Sequence, residues 1–184
     1  MIKDIMDTHT HTLASGHAYS TIRENAEAAA RKGLELLAKT EHAPRMSGSC
    51  QLIYFQNLKV VDRHAYDVEL LLGAELNILD ERGTVDLPER TLSQLDIAIA
   101  SLHTPCITPG SREYNTRACL NAMKNPWVHI LGHPDDPRYP MDYRALVQGA
   151  KEYHVMLELN ENSLRPGGSR KNTRPQDEKM LRLC

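Results

Sequence analysis

The residues in this sequence best suited to chemistry are its histidines, nine in 184 positions against a single Phe and a single Trp. Most stand where a short apolar run ends. His9 and His11 close Asp7-Thr8-His9-Thr10-His11, and Glu41-His42 follows Leu34 to Thr40. Glu75 follows Leu70-Leu71-Leu72-Gly73-Ala74, His103 follows Ser101-Leu102, and His133 lies between Gly132 and Pro134. Imidazole suits zinc, iron or manganese, and a carboxylate can bridge two ions because it has two oxygens. An i, i+2 spacing on an extended segment turns His9 and His11 to one side. Asp7 is expected on that same face, as a ligand or as an acceptor that orients an imidazole. Neighbours on a strand point oppositely, so His42 is the expected ligand and Glu41 the residue that orients it or handles a proton. Glu75 is expensive to bury alone, which calls for a cation or a salt bridge at the rim.

Several other chemistries are missing. There is no HExxH, no Walker lysine motif and no GxGxxG after the first strand. Cys50, Cys106, Cys119 and Cys184 are too scattered for a disulfide framework, and none pairs with a base as a nucleophile would. His64, His129 and His154 fall inside elements or at a helix end and read as structural, and His17, taken alone, reads as a loop histidine.

The elements that must position these groups alternate. Strands are expected over Ile2 to Thr8, Leu34 to Thr40, Val68 to Ile78, Leu95 to Ser101, Val128 to Leu131 and Val155 to Asn160. Thr21 with Glu24 forms a capping box opening a helix that closes near Gly33. Further helices are expected over Gln51 to Ala65 and Asn115 to Lys124, after a cap at Asp142, and from Gln176 to Cys184. Asp80-Glu81-Arg82-Gly83 reads as a turn and Asn162 to Arg174 as a loop. This βα alternation predicts an α/β fold in a single domain over residues 1–184. Candidate ligands at the ends of five strands favour a β/α barrel, where functional groups gather at the C-terminal ends of strands. Six strands leave such a barrel incomplete, with an edge that another chain could cover as an oligomer.

Composition narrows the partners. A formal charge of -2 argues against nucleic-acid binding by bulk charge. No apolar stretch approaches the roughly 18 residues of a membrane span. Met1 leads into Lys3 and Asp4 rather than an apolar signal segment, so a cytoplasmic protein is expected. A site with several metal ions implies hydrolysis, and phosphate is the natural substrate because two cations can clamp its oxygens. Arg112, Arg138, Arg165 and Arg170 are candidate partners for further oxygens.

Taken together, Asp7-Thr8-His9-Thr10-His11-Thr12, His17-Ala18-Tyr19-Ser20-Thr21, Glu41-His42, Gly73-Ala74-Glu75, His103 and Gly132-His133-Pro134 resemble the polymerase and histidinol phosphatase (PHP) family. The closest likeness is to its small bacterial phosphatases with a trinuclear metal centre and a distorted seven-stranded β/α barrel. The resemblance implies that His9, His11 and Glu75 hold a first ion, and that Glu75, His103 and His133 hold a second. His17 and His42 would hold a third. It implies zinc, with manganese or iron as alternatives, and hydrolysis of a small phosphate ester by a metal-held hydroxide, with Glu41, His42 and Glu75 as the catalytic candidates. The family's late Asp-x-His segment has no counterpart here, so the resemblance covers about six of seven strands. A truncated chain is the expected reason; an inactive metal- or partner-binding remnant, or completion by another chain, are the alternatives. Metal-dependent hydrolysis of another ester or an amide is the competing chemistry.

Overall fold

Thr21 and Glu24 fold as their spacing requires. In the computed structural model, which describes residues 4–184, the Thr21 hydroxyl accepts the Glu24 N–H while the Glu24 carboxylate takes the Thr21 N–H at 2.7 Å. That reciprocal cap, of a kind that contributes about 1 kcal/mol, opens helix α1 (Ile22–Lys32), and Gly33 in the left-handed region ends it. Among the described residues six strands follow the expected order: β1 (Met6–Thr10), β2 (Leu36–His42), β3 (Glu69–Asn77), β4 (Ile97–Ser101), β5 (Ile130–Leu131) and β6 (Met156–Leu157). The other helices are α2 (Leu52–Asn57), α3 (Glu89–Leu92), α4 (Arg112–Met123), α5 (Tyr143–Tyr153), α6 (Glu161–Leu164) and α7 (Arg174–Leu181). The sheet runs in chain order, β1-β2-β3-β4-β5-β6, and β1·β2, β2·β3, β4·β5 and β5·β6 are all parallel. Crossovers between parallel neighbours require intervening helices or long loops, which is why the alternation was legible.

Three expectations shift, one being the loop expected from Asn162 to Arg174, whose start lies in α6. The first strand spans Met6–Thr10 and so runs past Thr8, while Ile2 and Lys3 of that expectation lie outside the described residues. The helix expected over Gln51 to Ala65 breaks into α2 and two 3-10 turns, Leu58–Val60 and Arg63–Ala65. β-branched Val60 and Val61 weaken the helix there, and Asp62 caps the second turn by accepting the His64 N–H. Among the described residues no helix is long and apolar enough to cross a membrane, and all four cysteines are free.

The chain's contacts form two compact units: Met1–Leu76 with Leu87–Ala98, and Asn77–Asp86 with Ile99–Cys184. In the first, the apolar interior includes Ala26 and Ala29 from α1, Leu37, Leu70 and Leu72 from the sheet, and Phe55 from α2. Gly73 lies so close to the next strand that a Cβ there would meet the Ile97 carbonyl oxygen at 2.1 Å. Only glycine lets β3 approach this closely. In the second unit, α5 buries Leu146, Val147 and Ala150, and α4 buries Ala118, Cys119 and Ala122.

Candidate metal centre

Parallel register builds the first cluster. β2 and β3 pair so that His42 stands opposite Glu75, and the His42 Nδ1 lies 2.7 Å from a Glu75 carboxylate oxygen. The same oxygen is 3.2 Å from His9 Nε2 and 3.3 Å from His11 Nε2. Three imidazole nitrogens thus surround one oxygen of a carboxylate only 1% exposed. His17 joins from the loop after β1, its ring centred 4.9 Å from that of His11 and 4.8 Å from that of His42. The structure therefore brings His9, His11, His17, His42 and Glu75 together, in two overlapping groups whose ligand atoms lie within 4.8 Å of one another: His9, His11 and Glu75, and His11, His17 and His42.

Asp7 is not among the residues whose ligand atoms gather here. The register of β1 against β2 slips between Asp7 and Thr10, so three steps on β1 match two on β2. Such a bulge breaks the two-residue period and re-aims the side chains beside it. Asp7 is exposed, and its carboxylate takes the His9 N–H at 3.1 Å.

Glu41 lies on the opposite face of β2 from His42, as strand alternation requires, but its surroundings fit a role other than proton handling. The residue is 0% exposed. Its oxygens accept the Thr12 N–H at 3.0 and 2.9 Å, the Thr12 hydroxyl at 2.7 Å and the Ser15 hydroxyl at 2.6 Å. A carboxylate so occupied anchors the loop carrying His11 and His17. Gly16, at φ 74, completes that loop; a Cβ there would meet the Gly48 carbonyl oxygen at 2.4 Å.

Ser15 assigns the protons around it. Its only hydroxyl hydrogen goes to Glu41, so its oxygen accepts, taking the His42 N–H at 3.0 Å and His11 Nδ1 at 3.2 Å. His11 therefore carries its proton on Nδ1 and a lone pair on Nε2. The Ser15 carbonyl, which can only accept, lies 3.0 Å from His17 Nδ1 and fixes that ring in the same way. Burial above all pushes the His11 pKa down, with His9 and His42 adding to the effect against the hydrogen bond and charge of Glu75. A bare imidazole nitrogen then faces a carboxylate oxygen at 3.3 Å. Two acceptors at that distance repel, and a cation between them turns the repulsion into coordination. The donor set fits a borderline divalent ion such as zinc.

The second unit holds its own pair. His103, just after β4, and His133, just after β5, have ring centroids 5.2 Å apart. Both are buried. His103 Nδ1 lies 2.7 Å from the Asn77 side-chain oxygen. His133 has φ 29, an uncommon conformation for a residue with a Cβ, and its N–H donates to the Glu158 carboxylate at 2.6 Å. Asn160 supports the other Glu158 oxygen at 3.1 Å.

The candidate cations are mostly engaged. Arg138 pairs with Asp136 at 2.6 Å and Arg112 with Asp142 at 3.0 Å. Arg170 donates to Ser163 and lies 3.8 Å from Asp136, while Arg165 is exposed. His154 caps α5 in the left-handed conformation, and His64 sits in a 3-10 turn, as their placement suggested. The sequence reading missed Thr12, Ser15, Asn77 and Glu158. Ser15 alone carried a usable signal, lying two residues before His17 in the loop between ligand positions.

Comparison with known proteins agrees with this architecture. The PHP domain model matches residues 7–165. A probable phosphatase of Clostridium novyi is 46% identical over 183 residues, covering 100% of this chain and 74% of the relative. A probable phosphatase of Caldanaerobacter subterraneus subsp. tengcongensis is 53% identical over 160 residues, covering 86% of this chain and 63% of its own length. The chain thus spans between 63% and 74% of these two curated relatives. The crystal structure of a histidinol phosphate phosphatase from Lactococcus lactis, in complex with zinc, L-histidinol and phosphate, shares the fold at a TM-score of 0.65 and 20% identity, over 98% of this chain and 82% of that one. With parallel strands in chain order and histidines at their C-terminal ends, the chain belongs to the PHP domain family.

Proposed function

We propose that the protein is a metal-dependent phosphoesterase acting on a small phosphate ester. One observation carries the reading: Nε2 of His9, Nε2 of His11 and Nδ1 of His42 all lie within 3.3 Å of one buried Glu75 oxygen, a donor set suited to a divalent cation. The naming of relatives at 46% and 53% identity as probable phosphatases supports the choice of phosphate. His9, His11 and Glu75 hold one ion, His17 and His42 contribute to another, and His103 and His133 supply two imidazoles to a further ion. Zinc suits this nitrogen-rich set best, with manganese or iron as competitors. When bound, such ions supply an activated water and neutralise charge developing on phosphoryl oxygens.

The chain's own residues do the rest. Ser15 and Glu41 engage the Nδ1 side of His11 and His17, so Nε2 is the nitrogen each ring would turn to an ion. Glu41 is a positioning residue. Glu75 and His42 stay as the groups closest to the chemistry, through the ions they hold. The test is phosphate release from a small aryl phosphate by protein stripped with a chelator, then reloaded with zinc or manganese. Turnover absent from the stripped protein and restored by metal is expected. A folded, metal-loaded protein that releases no phosphate from a broad panel of esters would make the chain a binding remnant, and turnover confined to carboxylic esters or amides would replace the substrate class.

A further inference from the structure

His103 raises a question of proton placement that the ligand assignment leaves open: which of its nitrogens is bare. The answer lies in a short loop of the second unit. β3 ends at Asn77, and the chain turns back through Asp80 to Gly83, where the Gly83 N–H donates to the Asp80 carbonyl at 3.0 Å. An antiparallel bridge between Ile78 and Val85 then returns Asp86 to the side of Asn77. Gly83 lets the turn close, at φ 76, where a Cβ would meet the Ala122 backbone nitrogen at 2.2 Å. The Asp86 carboxylate accepts the Asn77 backbone N–H at 2.9 Å and its side-chain NH2 at 2.7 Å.

We propose that Asp86, acting through Asn77, decides which nitrogen of His103 carries the proton and so presents Nε2 for metal binding. An amide group has a donor end and an acceptor end, and its orientation is set by whichever neighbour has no choice. A carboxylate only accepts. Asp86 therefore takes the NH2 of Asn77 and leaves the Asn77 oxygen facing His103, where it lies 2.7 Å from Nδ1. That oxygen also only accepts, so Nδ1 must donate. Two obligate acceptors in series thus determine the tautomer of a buried ring, and the residue at the head of the series is itself a positioning residue outside the ligand set. The inference rests on the reading of His103 as a ligand only for its consequence; the tautomer assignment stands on hydrogen bonding alone.

The experiment separates the two. In metal-free wild-type protein, at a pH above the ordinary histidine range, 15N NMR of the imidazoles should show His103 as the Nδ1–H tautomer. Finding Nε2–H overturns the proposal without recourse to any variant. Asp86→Asn supplies an amide that can donate as well as accept, so Asn77 is free to turn its NH2 toward His103. The His103 signal should then move partly or wholly to Nε2–H, and zinc affinity, read by chelator competition, should fall by about 10–100-fold. A ring that stays fully Nδ1–H, or affinity within twofold of wild type, overturns it. The double variant Asn77→Asp with Asp86→Asn places an obligate acceptor directly at Nδ1. It should restore the Nδ1–H tautomer and most of the affinity, a rescue that a merely structural loop role would not produce; failure to restore the tautomer refutes the relay. His103→Ala, assayed for metal content in parallel, tests the ligand reading separately.

Discussion

Replacing Glu75 by Gln should change stability in opposite directions with and without metal. In the metal-free protein the Glu75 oxygen sits 3.3 Å from the bare Nε2 of His11 and 3.2 Å from His9 Nε2. Glu75→Gln gives that position an NH2 that can donate to a bare imidazole nitrogen, where the carboxylate oxygen faces three ring nitrogens. One made hydrogen bond in place of a clash of acceptors is worth about 1–2 kcal/mol. For a chain of this size each kcal/mol moves Tm by about 2–4 °C, so the stripped Glu75→Gln variant should melt about 2–8 °C above stripped wild type. Metal reverses the order. At a zinc concentration of about 1,000 Kd, binding stabilises wild type by about 4 kcal/mol; a loss of 100-fold in affinity leaves about 1.4 kcal/mol. The zinc-induced rise in Tm should shrink from about 8–16 °C to about 3–6 °C. Differential scanning calorimetry of chelator-stripped and zinc-titrated samples, with phosphate release measured on the same material, makes the comparison. If the stripped variant is less stable than stripped wild type, or if its zinc-induced shift is undiminished, the argument from facing acceptors is wrong.

Three other perturbations follow from the same surroundings. Ser15→Ala removes the 2.6 Å hydrogen bond to buried Glu41 and the acceptor for His11 Nδ1, so urea unfolding should show a loss of about 2–3 kcal/mol, with zinc affinity down about 10–100-fold; unchanged affinity would deny Ser15 its role. Lys39 is 1% exposed and donates to the Thr10 hydroxyl at 2.9 Å. Burial lowers its pKa from 10.5 to about 8, against the opposing pull of Glu41 and Asp7. The unfolded chain keeps that proton to higher pH, so stability should rise by about 3 kcal/mol between pH 8 and 10.5, and Lys39→Met should remove that part of the slope in unfolding measured across the window. Asp177 is 5% exposed, neither of its oxygens has a hydrogen bond, and burial followed by repulsion from Asp135 raises its pKa from 3.8 to about 6. Its protonated form is the favoured one, a contribution complete below pH 3.8 and lost as pH rises through about 6. Asp177→Asn should therefore stabilise the protein by about 1–3 kcal/mol at pH 7 and by nothing below about pH 4, as chemical denaturation at the two pH values would show.

The clustered histidine and glutamate positions were legible because strands in parallel sheets end abruptly, and a polar residue after an apolar run marks that end. His42 and Glu75 illustrate it: each sits at the finish of its run, and the register of β2 with β3 then makes them neighbours. The six strands were legible for the same reason, through the alternation of apolar runs with capped helices. Asp7 was not, because a bulge in a parallel pair leaves no mark in the sequence, and the two-residue period on which its face was inferred holds only in an unbroken ladder. Glu41 carried a catalytic expectation from its chemistry, yet its use is set by Thr12 and Ser15, 29 and 26 positions away. Asn77, Asp86 and Glu158 act on histidines through hydrogen bonds that only the folded chain assembles. Spacing reports which side chains share a face; it does not report what lies against that face.

The Ser15 side chain also bears on how this sequence can drift. One hydroxyl oxygen addresses a carboxylate, a backbone amide and an imidazole at once. Substitutions at Ser15, Thr12 and Glu41 are thereby coupled: the harm done by the second change depends on whether the first has already emptied the cluster, and double-mutant cycles among the three should be strongly non-additive.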